Sequence, residues 1–172
     1  GLGFGYEEAI GFCPDPAHVR DKDGIATSVV AASLVASLKA QGRSVWDELE
    51  RLARLHGLHV SSPLTFRVED IEQIASGMAR LRAQPPTVLA GSPVVEVSDL
   101  AQGYRGLPPT DGVLVLTEAG DRVIARPSGT EPKLKCYLEV ILPVTDGEAL
   151  PWDQARERLD AIKGAFAEII GL

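Results

Sequence analysis

The chain has 172 residues, 45% hydrophobic and 24% charged, the balance of a folded protein with enough apolar mass for a core. Its formal net charge of −7 argues against a general binder of nucleic acid or of anionic membrane surfaces, both of which need a basic face. No apolar run approaches the length of a membrane span, and no signal peptide is read at the start. The length suits one large domain, or one small domain plus part of another.

In chain order, residues 1–11 are punctuated by glycines, with Glu7 and Glu8 side by side. The start, Gly1-Leu2-Gly3-Phe4-Gly5, has no initiating Met, and the chain is expected to be a piece of something longer. Pro14 and Pro16 keep the next residues irregular. Arg20-Asp21-Lys22-Asp23-Gly24 then places an alternating charge cluster ahead of a helix. Asp21 or Asp23 could cap that helix. Lys22, between two carboxylates, is either a solvated lysine or, in a cleft, a proton shuttle or phosphate contact.

Val29, Val30, Leu34, Val35 and Leu38 recur at helical spacing and predict a helix over 25–40 with Gly42 as its stop. Ser44, with Asp47 three residues on, opens a second helix with a capping-box-like start. Its face is Val45, Leu49, Leu52 and Leu55, and Gly57 ends it. His56 and His59 receive no ligand role.

Ser61-Ser62-Pro63 reads as the boundary between two domains, 1–62 and 63–172. A short strand follows over 64–68, then a helix with the face Ile71, Ile74, Met78 and Leu81. Strands are expected at 94–97, 113–116 and 122–125, the last two as a hairpin across residues 118–121. Leu134, Cys136, Leu138 and Val140 alternate with Lys133, Lys135, Tyr137 and Glu139, the pattern of a half-buried strand. Cys136 is then core filler, and neither cysteine has metal-ligand spacing. The last element is an amphipathic helix with the stripe Trp152, Ala155, Leu159, Ile162, Phe166 and Ile169. The order after residue 63 fits a small α+β domain, an antiparallel sheet with helices on one face.

Between the last two strands lies the densest chemistry, Arg126-Pro127-Ser128-Gly129-Thr130-Glu131-Pro132-Lys133. The Arg126 guanidinium offers a planar fork that matches phosphate oxygens, and Ser128 and Thr130 add short O–H donors. Gly129 is expected to let backbone N–H groups turn inward, and the prolines stiffen the loop. Arg126, Lys133 and Lys135 concentrate positive charge locally in an acidic chain. The donor set fits an anion; the plainer alternative is a tight hairpin loop with solvated charges.

Three stretches carry a resemblance: residues 5–11, residues 19–24 and residues 126–133. In that order and spacing they resemble the C-terminal part of an α-D-phosphohexomutase, with weaker support from Ser98-Asp99-Leu100 and Gly103-Tyr104. Within that superfamily the chain is most similar to the branch of phosphopentomutase and glucose-1,6-bisphosphate synthase, with its bacterial phosphomannomutase and phosphoglucomutase relatives. The resemblance implies four domains around a cleft. It also implies phosphoryl transfer between two hydroxyls of one sugar through a bisphosphate. A phosphoserine on the first domain and Mg²⁺ on an Asp-Gly-Asp loop of the second would serve the chemistry. Neither a Ser-His-Asn-Pro segment nor an Asp-Gly-Asp pattern occurs in this sequence.

On this resemblance, residues 1–62 are the end of an α/β domain 3 and residues 63–172 are domain 4. Glu7 takes the sugar-selecting position, Lys22 that of the general acid/base, and Arg20 helps position the phosphoryl group. Arg126, Ser128, Gly129 and Thr130 match the clamp on the non-reacting phosphate, and Lys133 closes it. The family pattern Gly-Glu-Glu-Ser-Gly departs here to Tyr6 and Ala9, which tilts toward the pentomutase-like branch. The chain would bind a sugar phosphate, hold no metal itself, and act in the cytoplasm with the missing N-terminal domains of the same protein. Those domains would supply Mg²⁺ and take a glucose 1,6-bisphosphate-type activator. The competing expectation is a free-standing phosphate-binding module. A metal site at Glu7 and Glu8 is a third reading, and two carboxylates without further ligands rarely suffice for one.

Overall fold

The computed structural model describes residues 3–7 and 10–171, and the chain divides into two compact units, Gly1–Leu52 and Ala53–Leu172. Ala9, on which part of the sugar-selectivity reading rests, and Glu8, half of the carboxylate pair of the metal reading, lie outside the described residues.

In the first unit, strands β1 (Gly5–Glu7) and β2 (Gly11–Cys13) form an antiparallel hairpin in which Glu7 faces Gly11. Tyr6 and Phe12 stack across it with ring centroids 5.3 Å apart. Helix α1 (Gly24–Ala40) follows. Asp23 is its cap: one carboxylate oxygen accepts from the N–H groups of Ile25 and Ala26, both at 3.0 Å. The Asp23 N–H also donates to the Phe12 carbonyl at 2.9 Å, which ties the start of α1 to the hairpin. The expected apolar face of α1 corrects in part. Only Leu38 is buried, while Ile25, Val29, Val30, Leu34 and Val35 are exposed. Apolar spacing identifies a helix; it does not supply the surface that covers it.

Helix α2 (Val45–His56) crosses the division between the units. Its start is the expected capping box: the Ser44 hydroxyl accepts from the Asp47 N–H at 3.2 Å, and Asp47 accepts from the Ser44 N–H at 2.7 Å.

The second unit holds a six-stranded antiparallel sheet. Its strands are β3 (Leu58–Arg67), β4 (Val88–Leu89), β5 (Ser92–Asp99), β6 (Val113–Thr117), β7 (Arg122–Pro127) and β8 (Lys133–Leu142). They lie in the order β3-β8-β7-β6-β5-β4. Helix α3 (Glu72–Ala83) buries Ile74, Met78 and Leu81, and α4 (Trp152–Ile170) buries Ala155, Leu159, Ile162, Phe166 and Ile170. These side chains meet Val113, Val115, Val123, Leu134, Cys136, Leu138 and Val140 in one core. The unit is the expected α+β domain. Burial pushes the Cys136 thiol up to about 12, as suits a core thiol with no charge nearby to favour the thiolate.

Two expectations are corrected here. Residues 61–63 are not a break, because β3 runs unbroken from Leu58 to Arg67 with Pro63 opposite Tyr137. The division falls earlier, between Leu52 and Ala53. A proline is tolerated because β3 is an edge strand, where a missing N–H can face the open side. The α4 stripe ends on Ile170 rather than Ile169, and Trp152 is 42% exposed.

Antiparallel register also sorts the sheet into two faces. Residues directly opposite share a face, so Arg67 and Thr65 of β3 stand with Lys133 and Lys135 of β8, and Arg126 of β7 stands with Lys135. This face is the one turned away from α3 and α4, since Leu134, Cys136 and Leu138 alternate onto the core side.

Candidate phosphate-binding site

The segment from Arg126 to Lys133 is the connection between β7 and β8. Its closure is set by the backbone: the Ser128 N–H donates to the Lys133 carbonyl at 2.9 Å, and the Lys133 N–H donates to the Glu131 carbonyl at 2.7 Å. A third bond, from the Val68 N–H to the Pro132 carbonyl at 3.1 Å, fastens the loop to the end of β3. What remains is a run of donors. Among the described residues the N–H groups of Gly129 and Glu131 donate to no protein acceptor, and that of Thr130 reaches only the Ser128 hydroxyl at 3.5 Å. Gly129 and Thr130 are exposed and Ser128 is half-buried.

Gly129 does its part without an unusual backbone. It is not among the glycines with positive φ, so the loop does not depend on it for a left-handed turn. A Cβ built on it meets nothing within 4 Å. The shape instead comes from the closed Ser128–Lys133 pair and the prolines, and the bare glycine leaves its N–H open to a close approach.

Four cations surround this run on the open face of the sheet: Arg126, Lys133, Lys135 and Arg67. The strand register brings them to one end of β3, β8 and β7. Lys133 forms an ion pair with Glu131 across the loop. Arg67 was not recognisable in the sequence. Its strand alternation was visible, but only the pairing of β3 with β8 shows that it stands opposite Lys133. Converging cations and unpartnered N–H groups are the donor chemistry that suits an oxyanion with several acceptor oxygens.

A second group forms within the first unit. Glu7, Arg20, Asp21 and Lys22 line one cavity of about 730 Å³ together with Gly5, Tyr6, Gly11 and Cys13. The Lys22 ammonium lies 3.3 Å from the Asp21 carboxylate and 3.9 Å from Glu7. The Asp21 carboxyl is held below the usual carboxylate range, first by the Lys22 backbone N–H and then by the Lys22 ammonium. Gly11 makes the Glu7–Lys22 approach possible: a Cβ there would come within 2.5 Å of the Lys22 stem and 2.6 Å of the Glu7 stem. Spacing alone could not have revealed that role, because it depends on the hairpin folding Gly11 opposite Glu7. The structure thus gathers three residues singled out from the sequence, Glu7, Arg20 and Lys22, into one cavity. It places Arg126, Ser128, Gly129, Thr130 and Lys133 in one loop of the other unit.

His59, given no partner from the sequence, lies with its Nδ1 3.3 Å from Glu139, which also pairs with Arg122 at 2.9 Å. Among the described residues no three His, Cys, Asp or Glu side chains converge to hold a metal ion. These residues do not fit a Mg²⁺ site.

Residues 65–150, half of the chain and including the whole Arg126–Lys133 loop, match the family described as phosphoglucomutase/phosphomannomutase, C-terminal domain. The chain belongs to this family. It is 42% identical over 139 residues to a probable phosphomannomutase of Haemophilus influenzae, an alignment that covers 81% of this chain and 28% of that protein. It is 34% identical over 151 residues to a phosphoglucomutase of Staphylococcus haemolyticus, covering 80% of this chain and 27% of the relative. The chain therefore spans little more than a quarter of the length of these relatives. Its fold also resembles the open form of the Paramecium phosphoglucomutase pp63/parafusin. The TM-score is 0.61 at 18% identity, over 96% of this chain and 30% of that one.

Proposed function

We propose that this chain is the substrate-holding C-terminal part of a phosphosugar mutase of the phosphopentomutase and glucose-1,6-bisphosphate synthase-like branch. The observation that carries the reading is the Arg126–Lys133 loop, with its open N–H groups at Gly129 and Glu131 beside four cations of the sheet face. In this reading the loop grips the phosphate that does not react. Glu7 accepts hydrogen bonds from sugar hydroxyls, Arg20 positions the phosphoryl group in transfer, and Lys22 moves a proton at the reacting hydroxyl. The first unit, Gly1–Leu52, acts as the end of domain 3, and the second, Ala53–Leu172, acts as domain 4.

Phosphoryl transfer depends on positioning and charge stabilisation, so a remote grip does chemical work by aligning the sugar. The mutase moves a phosphoryl group from a phosphoserine to a free sugar hydroxyl, and the bisphosphate then turns over and returns its other phosphoryl group to the serine. One loop must accept either phosphate in turn. A ring of donors suits that better than a shaped pocket, because it reads oxygens and charge rather than the sugar. The phosphoserine, the Mg²⁺ and an activating sugar bisphosphate belong to domains outside these 172 residues, and we place the whole in the cytoplasm.

The test is turnover. The 172-residue chain should convert neither glucose 1-phosphate nor ribose 1-phosphate to its isomer, assayed by ³¹P NMR with Mg²⁺ and sugar bisphosphate present. Measurable conversion would sink the division of labour.

A further inference from the structure

The phosphate loop carries an anion of its own. The Glu131 carboxylate pairs with the Lys133 ammonium across the loop, and the Lys133 side chain is only 13% exposed. An ammonium held this way is engaged before any ligand arrives. The surroundings make the carboxylate a mimic of what the site would bind, because the strand register sets Arg67 opposite Lys133 and Arg126 opposite Lys135. The Glu131 carboxyl is held below the usual range, first by its hydrogen bond to Lys133 and also by the charges of Lys133, Arg67 and Lys135. Loop closure does not use the carboxylate. It rests on the bonds of the Ser128 N–H to the Lys133 carbonyl and of the Lys133 N–H to the Glu131 carbonyl.

We propose that Glu131 is a built-in competitor for phosphate: its carboxylate occupies the Lys133 ammonium in the free loop, and an incoming phosphate must take that ammonium from it. The inference rests on the reading of this loop as the phosphate grip. Its consequence is a grip weaker than its donors would allow. That suits a site which must let go between two half-reactions, since binding energy that holds the intermediate as tightly as the transition state does not speed the chemistry.

The test is a titration of the 172-residue chain with inorganic phosphate, followed by amide chemical shifts. Glu131→Gln should bind phosphate roughly two- to fivefold more tightly than the parent sequence, the scale of releasing one partly exposed ion pair. The gain should vanish when Lys133→Ala is added. Damage to the loop would weaken binding, so the sign separates competition from a structural role, and Glu131→Ala repeats the test should the glutamine variant fold poorly. Arg126→Ala serves as the control on the site itself and should weaken binding with either residue at 131. Binding by Glu131→Gln that is unchanged or weaker, or a gain that persists without Lys133, overturns the competitor role while leaving the grip intact. Phosphate binding that ignores Arg126→Ala, or no binding at all, overturns the grip.

Discussion

Replacing Arg126 with alanine is expected to weaken binding of glucose 1-phosphate by about 1.5–3 kcal/mol, the range for a hydrogen bond to a charged group. That is roughly ten- to a hundredfold in Kd, measurable by calorimetry on the chain. Arg126 is exposed near the end of β7, opposite Lys135, so the substitution removes little packing and unfolding should be barely altered. Arg126→Lys keeps the charge and loses the planar fork, and it should restore only part of the affinity. An unchanged Kd would show that the loop is not the phosphate grip.

The second large effect is on stability. Arg158→Met is expected to lower the unfolding free energy by about 3 kcal/mol, because it strands a buried carboxylate. Asp121 is fully buried in the turn between β6 and β7. Its Oδ2 accepts from Arg158 Nε at 3.0 Å, from Arg158 Nη2 at 2.7 Å and from the Thr117 hydroxyl at 3.1 Å. Its Oδ1 has no partner among the described residues, so the charge depends on this one guanidinium. Arg158 is itself partly exposed, and methionine replaces much of its apolar stem, which isolates the ionic contribution. Urea unfolding would measure the loss, and a change below about 1 kcal/mol would show that the pair is dispensable. Asp121 immediately precedes β7, so the same brace fixes the strand that delivers Arg126 to the loop.

Local chemistry was legible in the sequence where the decisive residues are neighbours. The loop between β7 and β8, the Ser44–Asp47 box, a cap at Asp21 or Asp23 (the structure uses Asp23) and the alternation of β8 all rest on short-range rules. The structure has each of them where those rules put it. What could not be read is what pairing and burial decide. Pro63 looks like a break until β3 is known to lie at the sheet edge. Arg67 joins the loop only through the β3–β8 register, and Gly11 matters only because the β1–β2 hairpin folds it against Glu7 and Lys22. Gly129 is a further case. Its place in the loop could be read from the sequence, but not that its φ is negative and the space above it is open.

In the proposed grip the backbone of this loop, and not its charges alone, receives phosphate. Amide spectra of the chain titrated with glucose 1-phosphate test it most directly. The account requires the Gly129, Thr130 and Glu131 N–H resonances to move downfield together with one Kd, as newly made hydrogen bonds to an oxyanion demand. Shifts confined to the arginine and lysine side chains, or spread over the chain with no preference for these three amides, would contradict it.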